Sequence, residues 1–226
     1  MAGLVSGIIG IDPGIRRLLT CSLVADNLIP AKTWSYDAGA AMQKMARGLS
    51  GDEAVGLAEI HLAKADIFAL YHLAAKEIVQ VAVTYHCRIA MESPPEAGSF
   101  PSSWVPLGKI TITRAPTTPG AVMQILPLQG LFDDLVSLCR RVGLEEPLSI
   151  AAVGSSHICG RCHKEDWQGR TLHDWYCHHC GYLADADDNA AHIIGIRGWS
   201  THLGQGGQGP AVVINQRLLG SPGPGP

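Results

Sequence analysis

Apolar residues run almost unbroken through Gly7–Asp12 (GIIGID) until an acid and Pro13-Gly14 close the run. A run this short, ended by turn residues, predicts a strand buried on both faces. Leu18–Val24 and Ile29–Tyr36 predict two more strands with Asp26-Asn27 as the turn, together an antiparallel meander. From Asp52 to about Tyr85 the period lengthens. Leu57, Ile60, Ala63, Ile67, Leu70, Leu73 and Ile78 recur three or more positions apart, which predicts a long helix with Asp52 as its N-cap. Cys87–Pro95 predicts the next strand, ended by Ser-Pro-Pro, and Glu96–Pro119 a long surface loop. Val122–Val142 predicts a helix whose start Pro127 kinks or delays. Pro147–Val153 predicts a last buried strand, and a short helix should follow from about Asp188 to Gly198. The order is β-β-β-α-β-α-β, a cysteine-rich insertion, then α. No internal repeat is visible, and the pattern predicts an α/β fold with a mixed sheet flanked by helices.

Composition changes this picture in three places. At 226 residues the chain suits one domain with a small insertion. Seven cysteines, four of them in two tight pairs, point to metal binding in a reducing compartment and away from a disulfide framework. The N-terminus has no basic n-region before a broken apolar run, and no uncharged apolar stretch of membrane-spanning length is evident, so neither a signal peptide nor a membrane span is expected. The formal net charge of −3 is low for a stand-alone nucleic-acid binder, so any phosphate grip should come mainly from elsewhere.

Cys159-x-x-Cys162 and Cys177-x-x-Cys180 are the chain's strongest chemical signal. Two such knuckles can bring four thiolates together tetrahedrally, the arrangement of structural zinc with bonds of ~2.3 Å. A closed thiolate sphere shapes a loop and does not activate water. CGRCH (Cys159–His163) also fits c-type haem attachment, but that chemistry requires export and a second axial ligand. His163, His173, His178 and His179 crowd the knuckles and read as loop residues.

Three acids stand where elements end: Asp12 after the first strand, Glu92 at the end of the fourth, and Asp187 at the start of the last helix. Hard divalent cations take oxygen ligands, and two such ions about 4 Å apart promote phosphodiester hydrolysis. Carboxylates from two strands and a helix could converge on such a pair. Each also has a simpler reading: Asp12 shapes a turn, Glu92 is a strand-end charge, and Asp185 or Asp188 caps a helix.

GIDPGIRRLLT (Gly10–Thr20), AMESPP (Ala90–Pro95) and SSHICGRC…YCHHCGYLADADDNAA together resemble the three RuvC motifs and inserted zinc ribbon of the transposon-encoded TnpB proteins and the type V CRISPR effector nucleases. The similarity covers roughly residues 6–200. It implies an RNase H-like (RuvC) fold with an inserted zinc ribbon, which agrees with the element order. It also implies an organisation in which residues 1–153 form the RuvC-like core with motifs I and II, and 154–183 the ribbon. Residues 184–203 would carry motif III and the last helix, and 204–226 a flexible tail. By resemblance Asp12, Glu92 and Asp187 are the catalytic acids holding two Mg²⁺ or Mn²⁺ ions, with Asp185 and Asn189 in support. Cys159, Cys162, Cys177 and Cys180 hold zinc. Arg161, Lys164, Trp167 and Arg170 on the ribbon are candidate nucleic-acid contacts.

Two departures stand out. Family members of usual length carry a large N-terminal portion that binds guide RNA and target DNA, whereas this chain begins almost at the first motif. The expectation is a fragment, or a subunit working with another polypeptide or with itself. The long helix is also apolar where relatives are often rich in Lys and Arg, which fits either a buried helix or a partner surface around Ile67 and Leu70. The functional expectation is a cytoplasmic, prokaryotic, metal-dependent DNA endonuclease subunit. The competing expectation is a non-cleaving binding or scaffold module with the same fold. A zinc-ribbon transcription factor would leave the first 150 residues unexplained.

Overall fold

The structure is a computed structural model that describes residues 5–14, 16–41, 43–44, 53–92, 126, 128–151, 154–171 and 173–204, the side chains of 53–60 excepted. The expectations placed on Asp52, on 96–119, on 122–125 and on 205–226 lie outside the described residues.

Five strands build the main sheet: β1 (Gly7–Pro13), β2 (Leu19–Ala25), β3 (Pro30–Tyr36), β4 (Cys87–Glu92) and β5 (Leu148–Ile150). Their order is β3-β2-β1-β4-β5. The first three form the expected meander, β1 antiparallel to β2 and β2 to β3. β4 then joins parallel to β1, and β5 parallel to β4, which makes the sheet mixed. Helix α1 (Glu53–Thr84) supplies the crossover between β3 and β4, and α2 (Leu128–Val142) the one between β4 and β5.

The alternation of side chains along each strand sorts residues between two layers. Ile9, Ile11, Leu19, Cys21, Leu23, Ile89 and Met91 face α1 and α2 and share one core with Ile67, Tyr71, Ile78, Leu131 and Leu135. Ile8, Val24, Ala90, Leu148 and Ile150 face the opposite way, toward Ile193, Ile194, Ile196 and Trp199 of the last helix, α3 (Ala186–Gly204). Asp12 follows Ile8 and Gly10 by steps of two, and Glu92 follows Ala90. Both acids therefore fall on the α3 side.

α1 is longer on its core side than its apolar spacing suggested. Ala63, Ile67, Tyr71, Ala74, Ala75, Ile78, Val79 and Ala82 are buried, whereas Leu73, assigned to the core from the sequence, is 53% exposed. Ile67 and Leu70 belong to the core, and among the described side chains of this helix the large apolar ones left exposed are Leu62, Phe68, Leu73 and Val83. The segment His61–Thr84 is long and apolar enough to cross a membrane by length and composition alone, but one face of it forms this core.

α3 corrects a second expectation. The sequence suggested a short helix from about Asp188 to Gly198; the helix runs from Ala186 to Gly204. Gly195 and Gly198 serve close approach instead. A Cβ on Gly198 would meet Ala90 Cβ and Ile8 Cγ2 at 2.7 Å, and one on Gly10 of β1 would meet Ala191 O at 2.2 Å and Gly195 N at 2.3 Å. The helix therefore lies backbone to backbone on β1, a contact only glycine permits. The Trp199 indole N–H donates to Val24 O at 3.0 Å and pins the far end of the helix to β2.

Candidate functional site

β1 and β4 run parallel in the register Gly10↔Ala90 and Ile11↔Met91, so Asp12 and Glu92 sit side by side at the carboxyl ends of neighbouring strands. The glycine contact lays α3 across the same strands and brings Asp187, in its first turn, toward that end. Burial pushes the Asp12 carboxyl well above its ordinary range, and the charges of Glu92 and Asp187 push it further. Burial likewise raises Glu92, opposed by a hydrogen bond donated by Ser155 Oγ and by the charges of Arg197 and Arg170. Three acids that feel one another's charge make a site short of positive charge. All-oxygen donors suit a hard divalent cation, so the residues present fit Mg²⁺ or Mn²⁺.

That shortage is met in part by arginines. Arg16 Nε donates to Asp187 Oδ2 at 3.1 Å, with Arg16 Nη2 2.8 Å from the same oxygen. Arg170 Nη2 donates to Asp187 Oδ1 at 3.2 Å, and the Arg170 charge also reaches Asp12 and Glu92. Both oxygens of the nearly buried Asp187 are thus engaged by guanidinium groups. Asp185 takes Arg16 and Arg17, and Arg17 continues to Asp188 at 2.6 Å. Asp185 also caps α3, its Oδ1 accepting from the backbone N–H of Asp187 at 2.9 Å and of Asp188 at 3.3 Å. The first of the sequence-suggested cap positions is therefore the one used.

The ribbon follows β5. A 3-10 turn (Ser155–His157) leads into the first knuckle, and two short antiparallel strands, β6 (Asp174–Tyr176) and β7 (Leu183–Asp185), carry the second. The Sγ atoms of Cys159, Cys162, Cys177 and Cys180 all lie within 4.8 Å of one another. Cys159 to Cys180 is 3.7 Å and Cys162 to Cys177 is 3.6 Å. Tetrahedral ligation with bonds of ~2.3 Å requires edges of about 3.8 Å, so the four thiols fit structural zinc. Among the described residues this is the one group of three or more His, Cys, Asp or Glu ligand atoms drawn that close; the three acids stand further apart. The nearby histidines have other partners. His178 Nδ1 lies 2.9 Å from Asp166 Oδ2, and His179 Nε2 lies 3.1 Å from Glu165 O.

Asn189 joins ribbon to helix. Its side-chain oxygen accepts from Gly160 N, and its Nδ2 donates to Ile158 O, each at 2.8 Å and fully buried. His192, one turn on, donates from Nε2 to Leu28 O at 2.9 Å and packs against Gly160. The four suggested nucleic-acid contacts divide. Arg161, Lys164 and Trp167 are exposed, with Trp167 stacked on His157 at a ring separation of 4.1 Å. Arg170 instead turns to the acids, because Asp187 and the Ala186 carbonyl lie within its reach. Sequence reasoning passed over Arg16, Arg17, Ser155 and Arg197. The run 185–188 was the available signal for the first two, since three carboxylates within four residues demand countercharge, and Arg16-Arg17 stand just beyond Asp12.

Fold and site define an α/β protein with a mixed five-stranded sheet, acids at its strand ends, and a four-cysteine ribbon spliced in ahead of the last helix. Residues 139–194 match the family model of the Cas12f1-like TNB domain, a span from the end of α2 through the ribbon into α3. The chain is also similar to a solved structure described as the Cryo-EM structure of the Cas12f1-sgRNA-target DNA complex. The TM-score is 0.57 at 15% sequence identity, with 86% of this chain and 51% of that chain covered. At that identity the likeness speaks for the fold, and the chain spans about half the length of the protein it resembles. No curated protein matches it. The segment match thus speaks for a Cas12f1-like ribbon over residues 139–194, and the structural match for the fold.

Proposed function

We propose that the chain supplies the cutting site of an RNA-guided, metal-dependent DNA endonuclease. The observation that supports this most is the meeting of Asp12, Glu92 and Asp187, from β1, β4 and α3, at one end of the sheet beside the ribbon. In this reading the three acids hold two Mg²⁺ or Mn²⁺ ions, which when bound assist attack of water on a phosphodiester and stabilise the leaving oxygen. The chain's own residues set the geometry. Strand pairing fixes Asp12 and Glu92, Ser155 orients the Glu92 carboxylate, and Asp185 fixes the first turn of α3 on which Asp187 stands. Asn189 ties the ribbon to that turn. Arg161 and Lys164 offer charge to a phosphate backbone, and the exposed face of Trp167 offers a stacking surface to a base. The four thiolates hold zinc and give the ribbon its shape.

Guide RNA and target DNA are the partners in this reading, which the similarity to the Cas12f1-sgRNA-target DNA complex supports. With a net charge of −3, the remaining grip on phosphate comes from another polypeptide or from a second copy of the chain. The proposed organisation keeps residues 1–153 as core, 154–183 as ribbon, 184–203 as third motif and helix, and 204–226 as tail, in a prokaryotic cytoplasm. The same net charge, and the full engagement of Asp187 by arginines, favour a second reading: a scaffold or binding module that does not cut. Labelled single-stranded DNA incubated with the chain, its partner, guide RNA and Mg²⁺ or Mn²⁺ separates the two. Cleavage lost in Asp12→Ala supports the nuclease, and an uncut substrate at every metal concentration supports the module.

A further inference from the structure

The carboxylate of Asp187 is nearly buried, and each of its oxygens already has a cationic partner: Arg16 on Oδ2 at 2.8 Å and Arg170 on Oδ1 at 3.2 Å. A cation liganded by Asp187 competes with these two guanidinium groups for its oxygens, since like charges repel at such separations. The two arginines differ in how they are held. Arg170 also donates to the Ala186 carbonyl, whereas Arg16 makes its bonds only with Asp185 and Asp187 among the described residues and remains about a quarter exposed. Arg16 sits on the connection between β1 and β2, three residues beyond Pro13, and Ile15 before it is outside the described residues. Its neighbour Arg17 pairs with Asp185 and Asp188 and leaves Asp187 alone.

We infer that Arg16 is a positioning residue acting by exchange: in the free protein it occupies the face of Asp187 that a divalent cation needs, and it gives up that face for a phosphate group of the bound nucleic-acid strand. This deepens the nuclease reading and rests on it. The physical reason is charge balance. Cation entry without a strand would leave Arg16 beside the ion with only Asp185, a carboxylate it shares with Arg17. A strand phosphate gives the displaced, planar guanidinium a doubly accepting anionic partner of the kind it pairs with best. Metal and strand therefore assist each other's binding through one side chain, and linkage makes that assistance reciprocal. The device keeps the site unloaded until a substrate is present.

The test measures Mn²⁺ binding to the full chain by the electron paramagnetic resonance signal of free Mn²⁺, with and without a phosphorothioate single-stranded oligonucleotide that resists cleavage. In the unaltered protein the oligonucleotide should tighten Mn²⁺ binding. Arg16→Gln should bind Mn²⁺ roughly threefold to tenfold more tightly without the oligonucleotide, the scale of one partly screened charge removed from beside the ion. The tightening by the oligonucleotide should largely disappear in that variant. Arg17→Gln should leave the Mn²⁺ affinity as it was, and zinc content with the circular dichroism spectrum checks that each variant is folded. Mn²⁺ affinity unchanged or weakened in a folded Arg16→Gln protein overturns the inference. If Arg16→Gln does not fold, Arg16→Met carries the test: it keeps an unbranched stem and removes the charge, so Mn²⁺ affinity must rise, and no rise overturns the inference equally. Failure of the nuclease reading looks different: Mn²⁺ binding in the unaltered protein that does not respond to Asp12→Asn or Asp187→Asn.

Discussion

Replacing Gly10 with alanine probes the contact that brings α3, and Asp187 with it, onto the sheet. The added methyl would lie 2.2 Å from Ala191 O, 2.3 Å from Gly195 N and 2.8 Å from Gly195 Cα. Ordinary contact begins at 3.4 Å, so the shortfall is about 1 Å. All three atoms are main chain, so no rotamer change relieves the clash, and the helix itself must retreat. Overpacking costs about 1–3 kcal/mol, and a collision with backbone alone belongs at the top of that range. A loss of about 3 kcal/mol lowers the melting temperature of a domain this size by roughly 6–12 °C. Urea and thermal unfolding of Gly10→Ala measure this directly. Gly39→Ala is the control, its Cβ meeting only the Asp37 carboxylate, no nearer than 3.4 Å. Gly195→Ala should cost less than Gly10→Ala, since its nearest neighbour, Val24 Cγ2 at 2.4 Å, is a side-chain atom. If the proposed nuclease function holds, a displacement of about 1 Å at the foot of α3 should also slow cleavage about 100-fold. Unfolding midpoints of Gly10→Ala equal to those of the unaltered protein would refute the backbone contact and the placement of Asp187 that depends on it.

Other outcomes follow from the same geometry. Asn189→Ala strands the buried Gly160 N–H and Ile158 C=O, costing about 3 kcal/mol of ribbon docking; hydrogen exchange at the Gly160 amide should accelerate while zinc content stays at one per chain, and unchanged protection there counts against the docking role. Asp12 has a folded pKa above its ordinary value, so between about pH 4 and that raised value the folded chain binds more protons than the unfolded one. The stability of the metal-free protein should therefore fall as pH rises through that window. Asp12→Asn should flatten the fall and stabilise the metal-free protein at neutral pH by about 1–2 kcal/mol, which denaturation series at several pH values would reveal; a steeper fall in the variant contradicts the assignment. Zinc removal by a chelator should expose Trp175, which is packed with Cys159 and Cys177, and shift its fluorescence to the red while the main sheet's far-ultraviolet signal persists. Burial pushes the Cys159 thiol up to about 12 in the metal-free ribbon, so protons compete with zinc and the apparent zinc affinity should climb with pH; a pH-independent affinity argues against thiolate ligation.

Much of the fold was legible because the residues that build it act locally. An apolar run closed by Asp12-Pro13-Gly14 can hardly be anything but a buried strand and a turn, and Asp26-Asn27 marks the first hairpin as plainly. The two CxxC pairs carry their own geometry. What was hidden depends on a partner distant in sequence. Gly195 and Gly198 look like helix terminators until Gly10 and Ala90 are seen beneath them. Leu73 and Tyr71 offer similar apolar character, and only the position of the sheet decides that Tyr71 goes inside. Arg170 reads as a surface charge on a ribbon because nothing near it in the chain announces Asp187 as its partner. The site was legible as a set of acids and illegible as a set of ion pairs.

β7 ends at Asp185 and α3 begins at Ala186, with no residue between them. The ribbon therefore has no slack where it meets the helix: Asp185 is at once the last rung of one and the cap of the other. Any pull exerted on the ribbon by a strand lying across it is in mechanical series with the first turn of α3. In the proposed nuclease, the four-cysteine finger would thus work as a lever arm whose short end is Asp187.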